Sequence, residues 1–337
     1  MKTLPLYLLL ITLTVLNSCN STPKEEALPE TVKIIFDTDM GPDYDDVGAI
    51  AVLHALADRG ECEILATLSS DGHPAIAPTI ELFNRYYGKG EIPVGIPANP
   101  AANFTAPNNW NDSLLARFAP DLQSKTDYPK AHEIYRKTLA AQPDKSVTIV
   151  TVGFATNLAE LLKTGGDDYS PLSGMELVKK KVKRWVAMAG RFPEGREFNL
   201  FVDSVSSAYA FEHWPTPILF SGFEIGNQIM TGNRLATLDG GTNPAAWAYQ
   251  YNLATYDSRP MSHRMSWDHT AVLCAVRNPE DYFYLCGPGT IIIHSSGDNS
   301  WNPDVNREHY FLVHKYPYQK IADVLEELML HEPGQLR

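Results

Sequence analysis

The stretch Val32-Lys33-Ile34-Ile35-Phe36-Asp37-Thr38-Asp39-Met40-Gly41-Pro42-Asp43-Tyr44-Asp45-Asp46-Val47 runs from a short β-branched segment straight into a crowd of carboxylates. Val32 to Phe36 is mostly apolar without alternation, the pattern of a strand buried on both faces, and Val47 to Ala57 reads as a helix. The same succession recurs downstream. Glu63 to Leu68, Ser146 to Val150, Arg184 to Met188 and Ile218 to Ser221 read as strands; Ile76 to Tyr87, His132 to Ala141, Asn157 to Lys163 and Ser204 to Glu212 read as helices. Such alternation predicts an α/β fold of three layers, a mainly parallel open sheet with helices on both faces. Thr290 to His294 and His309 to His314 flank Gly/Asn/Pro-rich sequence, which predicts a late β-hairpin before a C-terminal helix from Tyr318 to Leu330. No internal repeat or linker-like gap interrupts residues 32 to 337, so one domain is expected there. In open parallel sheets the binding crevice lies beyond the carboxyl ends of the strands, so chemistry is expected just after the strand-like runs.

The 337 residues are 44% hydrophobic and 20% charged, a globular composition long enough to bury a large core. With 28 basic against 40 acidic residues the net charge is -12, which repels a nucleic acid polymer and suits a small substrate, neutral or held through a cation. Lys2, the apolar run Leu4 to Leu16 and the ending Leu16-Asn17-Ser18-Cys19 match a lipoprotein leader. The run is shorter than the roughly twenty apolar residues of a membrane span. Residues 1–18 are therefore expected to be a signal peptide, Cys19 the lipidation site, and residues 19–31 a flexible tether to the membrane of the periplasm or cell envelope. Cys62, Cys274 and Cys286 remain, an odd set without metal spacing, expected as buried small side chains or as one disulfide and a free thiol.

Asp37, Asp39, Asp43, Asp45 and Asp46 place five carboxylates within ten residues. Two like charges about 4 Å apart repel by about 4 kcal/mol even at an effective dielectric of 20, so several cannot converge without a cation or raised pKa values. An oxygen-only set with no nearby histidine or cysteine favours a hard ion over zinc, and calcium, tolerant of irregular geometry, over magnesium. Helix capping would explain one or two of these acids but not all five. An EF-hand loop starting at Asp37 fails, because Pro42 and Gly48 stand where Gly and Glu are required. A phosphatase of the haloacid dehalogenase type also opens with a strand and Asp-x-Asp, but Gly41 stands where it normally has Thr or Val.

The cluster resembles the amino-terminal signature of the inosine-uridine preferring nucleoside hydrolases, Asp-Thr-Asp-Pro-Gly-x-Asp-Asp followed by a helix of small residues. Met40 replaces the proline, and two extra residues separate Gly41 from the final Asp pair. The resemblance implies that Asp39 and Asp46 bind calcium, that Asp39 is also the general base, and that Asp45 binds the ribose hydroxyls. The insertion makes Asp43 a competitor for that last role.

Three further segments follow in the family's order. Val147 to Val150 leads into Thr151-Val152-Gly153-Phe154-Ala155-Thr156-Asn157, where the resemblance makes the Val152 carbonyl a calcium contact. Glu197-Phe198-Asn199 matches a sugar-gripping triplet, Glu197 at the primary hydroxyl and Asn199 at the ring hydroxyls. The loop before it is shorter than the family's, and Arg191 or Arg196 could fill the place of a further sugar contact. Ser266-Trp267-Asp268-His269-Thr270-Ala271-Val272 resembles the segment in which Asp268 would complete the calcium shell and touch the sugar. Trp267 stands where inosine-cleaving relatives keep a histidine that assists the departing base.

By this resemblance the protein hydrolyses the N-glycosidic bond of ribonucleosides, with calcium readying a water whose proton Asp39 takes. Trp267 could favour a protonated base by cation-π attraction; Trp110 and Trp301 could join it, and His73 and His269 are alternative acids. A capture protein that keeps the calcium and sugar contacts without turnover is the competing reading, ahead of the phosphatase. Relatives form dimers and tetramers, so a homo-oligomer is implied. The basic run Lys179-Lys180-Lys181 with Lys183-Arg184 is a solvated face before a strand.

Overall fold

In the computed structural model, which describes residues 31–334, the apolar run after Thr31 forms β1 (Val32–Thr38). The leader, Cys19 and the tether up to Glu30 lie outside the described residues. The further strands are β2 (Cys62–Ser69), β3 (Val94–Gly95), β4 (Val147–Thr151), β5 (Val182–Met188), β6 (Glu194–Arg196), β7 (Ile218–Ser221), β8 (Met230–Thr231), β9 (Arg264–Met265), β10 (Tyr284–Ile293), β11 (Asp298–Pro303) and β12 (His309–Val313). Ten of them make one sheet in the order β3-β2-β1-β4-β5-β7-β12-β10-β11-β6, and β8 pairs with β9. The pairings from β3 through to β12 are parallel; those of β10, β11 and β6 are antiparallel.

The helices in chain order are α1 (Asp45–Asp58), α2 (Ile76–Tyr86), α3 (Trp110–Phe118), α4 (Ala131–Ala141), α5 (Thr156–Lys163), α6 (Gly174–Lys181), α7 (Phe198–Val202), α8 (Ser204–His213), α9 (Phe223–Gly226), α10 (Pro244–Thr255), α11 (Trp267–Val276) and α12 (Tyr318–Met329). Alternation along the strands divides the core. Ile34, Phe36, Val150 and Val186 join an apolar cluster with α1, α10, α11 and α12, whereas Ile35, Ile149, Trp185 and Ala187 face α4, α5, α6 and α8. The sheet is thus covered on both faces, which is why β1 and β4 read as unbroken apolar runs.

The late hairpin is present and is larger than its sequence suggests. β12 is separated from Thr290 to His294 by an intervening strand, β11, built of Asp298-Asn299-Ser300-Trp301-Asn302-Pro303. β12 pairs with the first half of β10 on one side and runs parallel to β7 on the other. All three of Cys62, Cys274 and Cys286 are free; the first two are buried as expected, but Cys286 is exposed, within the exposed run Tyr284 to Gly287 of β10.

Candidate active site

Asp39 leaves the carboxyl end of β1, and six residues later Asp45 and Asp46 open α1. The turn between them needs unusual backbone: Met40 has φ of 41° and Gly41 of 148°, conformations that favour glycine. The Met40 amide and the Thr38 hydroxyl both donate to Asp46 Oδ1, aiming that carboxylate back over the strand end.

Two glycines let the other segments approach. A Cβ on Gly153, just past β4, would lie 2.5 Å from the Asp39 amide nitrogen and 2.4 Å from Ser70 Oγ. A Cβ on Gly48 in α1 would lie 1.8 Å from His269 Nε2. That second close approach packs α11 against α1, so Asp268 in the first turn of α11 meets Asp45 and Asp46 in the first turn of α1. The Asp268 amide donates to Asp45 Oδ2 at 3.1 Å. Both helices direct their positive ends at the cluster, which favours the anionic forms.

Asp39, Asp43, Asp45, Asp46, Val152, Glu197, Asn199, Trp267 and Asp268 all line one cavity of about 260 Å³ at the carboxyl edge of the sheet. Asp45, Asp46 and Asp268 each offer an oxygen within 4.8 Å of the others; Asp39 faces the same cavity outside that group. Burial, followed by repulsion from neighbouring aspartates, drives the carboxyls of Asp39, Asp45 and Asp268 well above the usual range. Asp46 is pushed up to about 7, by burial against the lowering hydrogen bond from Thr38. Among the described residues, no lysine or arginine forms an ion pair with any of these four. An oxygen-only set with no ion pair of its own, where Arg264 is bonded to Asp43 and reaches Asp45 only through its charge, fits a hard divalent cation beside the main-chain carbonyl at Val152.

Asp43 is used differently. Its Oδ2 is gripped by Arg264, whose guanidinium also lies 5.2 to 5.4 Å from the ring centres of Tyr44, Tyr256 and Trp267. Sequence reasoning did not single out Arg264, which is separated from Asp43 by 221 residues and carries no local signal. Asp71 was also missed. It sits just past β2, accepts from the amides of His73 (2.7 Å) and Phe104, and adds its charge to the field on Asp39.

On the sugar-loop side, Glu197 caps α7 by accepting from the amides of Asn199 (2.7 Å) and Leu200 (3.2 Å), and it also accepts from Gly190 N at 3.1 Å. Burial pushes its carboxyl up to about 7. Asn199 Nδ2 donates to the carbonyls of Val152 and Met188, both at 3.1 Å. Asn157, in the Thr-Asn turn, clamps the buried Asp37 and the Ser69 carbonyl, so that turn braces the strand ends from behind.

Several alternatives are redirected. Trp267 lines the cavity, but its Nε1 donates to the Phe223 carbonyl at 2.9 Å and its ring stacks on Phe223, so this N–H cannot serve a departing base. Its contact with Arg264 further fixes the indole in the wall. His269 is fully buried beneath α1, bonded to Tyr249 through Nε2, and held neutral by burial, its pKa lowered to about 3. His73 lies in a separate depression with Pro74 and Pro100. Arg196 lies over Phe201 and Arg191 near Phe223, and neither lines the cavity. Trp110 is core and Trp301 packs on Phe192 and Phe311. The aromatic end of the cavity consists instead of Phe198, Phe223, Tyr256 and Trp267.

The family model described as inosine-uridine preferring nucleoside hydrolase matches residues 34–311. Among solved structures, the chain is similar to a plant nucleoside hydrolase at 19% identity and a TM-score of 0.67, with 89% of this chain and 99% of that one covered. It is similar to an inosine-guanosine nucleoside hydrolase at 20% identity and 0.68, covering 88% and 98%. A purine-preferring ribonucleoside hydrolase from Gardnerella vaginalis aligns at 16% identity and 0.62, covering 88% and 98%. Identities this low show a shared fold. A search of curated proteins by sequence gives no match.

Proposed function

We propose, on the premise that this chain belongs to the inosine-uridine preferring nucleoside hydrolase family, that it cleaves ribonucleosides to ribose and free base with calcium at its carboxylate cluster. The chain is an N-glycosyl hydrolase of nucleosides by that membership. What carries the finer reading is the convergence of Asp39, Asp45, Asp46 and Asp268 with Glu197, Asn199 and the Val152 carbonyl around one cavity.

A calcium ion held by Asp39, Asp46, Asp268 and the Val152 carbonyl would supply the charge that keeps the acids ionised and would acidify a water. Asp39 accepts the proton of the attacking water, whose oxygen bonds to C1′ while the C1′–N bond electrons pass to the base. Asp45 accepts from the ribose hydroxyls; Asp43, already spent on Arg264, is the weaker candidate for that role. Glu197 receives the primary hydroxyl and Asn199 the ring hydroxyls. The surrounding carboxylates stabilise the positive charge that develops on the sugar. Phe223, Tyr256 and Trp267 offer the departing base an apolar wall.

The proposal extends to the leader: removal before Cys19, lipid on Cys19, and a nucleoside hydrolase domain from residue 32 onward held at the cell envelope, working on nucleosides or small ribosides and not on polymers. Assembly into a homo-oligomer belongs to the same reading. A panel of purine and pyrimidine nucleosides, assayed for free ribose with calcium present, tests it. Release of ribose from at least one supports the reading; binding without any turnover favours a capture protein instead. Replacement of Cys19 by alanine should release the protein from the membrane fraction, and retention there would remove the anchor from the account.

A further inference from the structure

We propose that Asn299, on the late hairpin, is a positioning residue that sets Glu197 against the primary hydroxyl of the sugar, so that the hairpin is part of substrate recognition. The inference rests on the sugar-binding role given above to Glu197. Its basis is a set of contacts that ties residues 190–197, between β5 and α7, to β11.

Asn299 is only 2% exposed. Its Oδ1 accepts from the Arg191 amide at 2.9 Å and its Nδ2 donates to the Arg191 carbonyl at 2.8 Å. One side-chain amide thus satisfies both main-chain groups of a single loop residue, as a neighbouring strand would. Two residues on, the Trp301 amide donates to the Pro193 carbonyl at 2.8 Å. Glu194, Gly195 and Arg196 then form β6, in register with Ser300, Asn299 and Asp298 of β11. Phe192, between these anchor points, stacks on Phe311 with ring centres 4.7 Å apart.

Glu197 is the residue immediately after β6. Its carboxylate closes the loop on the Gly190 amide, next to Arg191, and starts α7, which presents Asn199 to the Val152 carbonyl. A path of direct contacts therefore runs from Asn299 through Arg191 and Gly190 to Glu197, and from there to Asn199. The polar character of Asn299, out of place on an interior strand, is explained by a main-chain partner that offers one donor and one acceptor. Removing the amide leaves both Arg191 groups without these bonds and frees the loop that holds Glu197.

The test compares the best ribonucleoside substrate with its 5′-deoxy analogue, using the full-length protein and its Asn299→Ala variant. If the hairpin sets Glu197 against the primary hydroxyl, kcat/KM for the ribonucleoside should fall by roughly tenfold or more. The 5′-deoxy analogue, which lacks that hydroxyl, should be affected far less, so discrimination between the two should shrink towards one. Asn299→Asp, which keeps shape and acceptor but loses the donor, should move the ratio in the same direction and carries the comparison if the alanine variant does not fold. Equal loss on both substrates, or none, would reduce Asn299 to a structural contact and overturn the inference. Activity in the parent protein with unaltered discrimination in the variants sinks this inference alone. A parent protein that releases no ribose from any nucleoside sinks the functional reading and this inference with it.

Discussion

Replacing Gly48 by alanine should damage the site from a position that touches no substrate. A Cβ there would lie 1.8 Å from His269 Nε2, 2.7 Å from His269 Cε1 and 2.5 Å from the Tyr249 hydroxyl. Ordinary contact needs at least 3.4 Å, so either the His269 ring swings away, breaking its 3.1 Å bond to Tyr249, or α11 moves off α1. Overpacking of this kind costs about 1–3 kcal/mol, and the lost buried hydrogen bond about 1 kcal/mol more. The sum, about 2–4 kcal/mol, corresponds to a fall in melting temperature of about 3–6 °C for a domain of this size. Because Asp45 and Asp46 open α1 and Asp268 opens α11, separation of the helices also spreads the carboxylates. A misplacement near 1 Å lowers turnover by about a hundredfold. Differential scanning fluorimetry and ribose release, run beside Gly165→Ala, whose Cβ would meet open space, give the comparison. A Gly48→Ala protein that melts and turns over like the parent would refute the idea that this close helix contact assembles the site.

The other predictions concern the acids themselves. Asp39→Asn should leave the melting profile of a folded protein while lowering kcat by about 10²–10⁴-fold, the usual contribution of a general base; full retained activity rejects the assignment. Asp45→Asn should weaken ribonucleoside turnover far more than Asp43→Asn, since Asp43 is tied to Arg264 and Asp45 lies in the buried triad; the reverse order in kcat/KM would give Asp43 the ribose. The raised carboxyls also set a pH dependence. Asp46 and Glu197, pushed up to about 7 by burial, bind protons in the folded chain that they release when unfolded, near pH 4. Their contribution is therefore complete below about pH 4 and is lost as pH rises through about 7. Chelated protein should melt progressively lower between pH 5 and 8, and added calcium should offset this most at the alkaline end; a calcium effect independent of pH would argue against ionisation-linked binding.

The strand ends were legible in the sequence because parallel strands covered on both faces are written as continuous apolar runs. β1, β4, β5 and β7 begin and end within a few residues of the expected places, and Asp39, Asp45 and Asp46 after β1, Val152 after β4 and Glu197 after β5 line one cavity. What escaped detection was held by main-chain bonding or by distance in the chain. β11 and β6, polar or glycine-containing, read as loop because their partners supply hydrogen bonds rather than apolar cover. The Asp43–Arg264 pair joins segments whose neighbours say nothing of one another. Trp267 lines the cavity, but only the position of the Phe223 carbonyl reveals that its N–H is already taken.

Dependence of hydrolysis on a cation held by these buried carboxylates is the proposal on which the mechanism stands. It is tested most directly by titrating calcium back into chelated protein while ribose release from a cleaved nucleoside is followed. Saturable recovery of activity, absent when Asp268 is replaced by asparagine, is the predicted result. Full turnover in the chelated protein, or none at any calcium concentration, would contradict it.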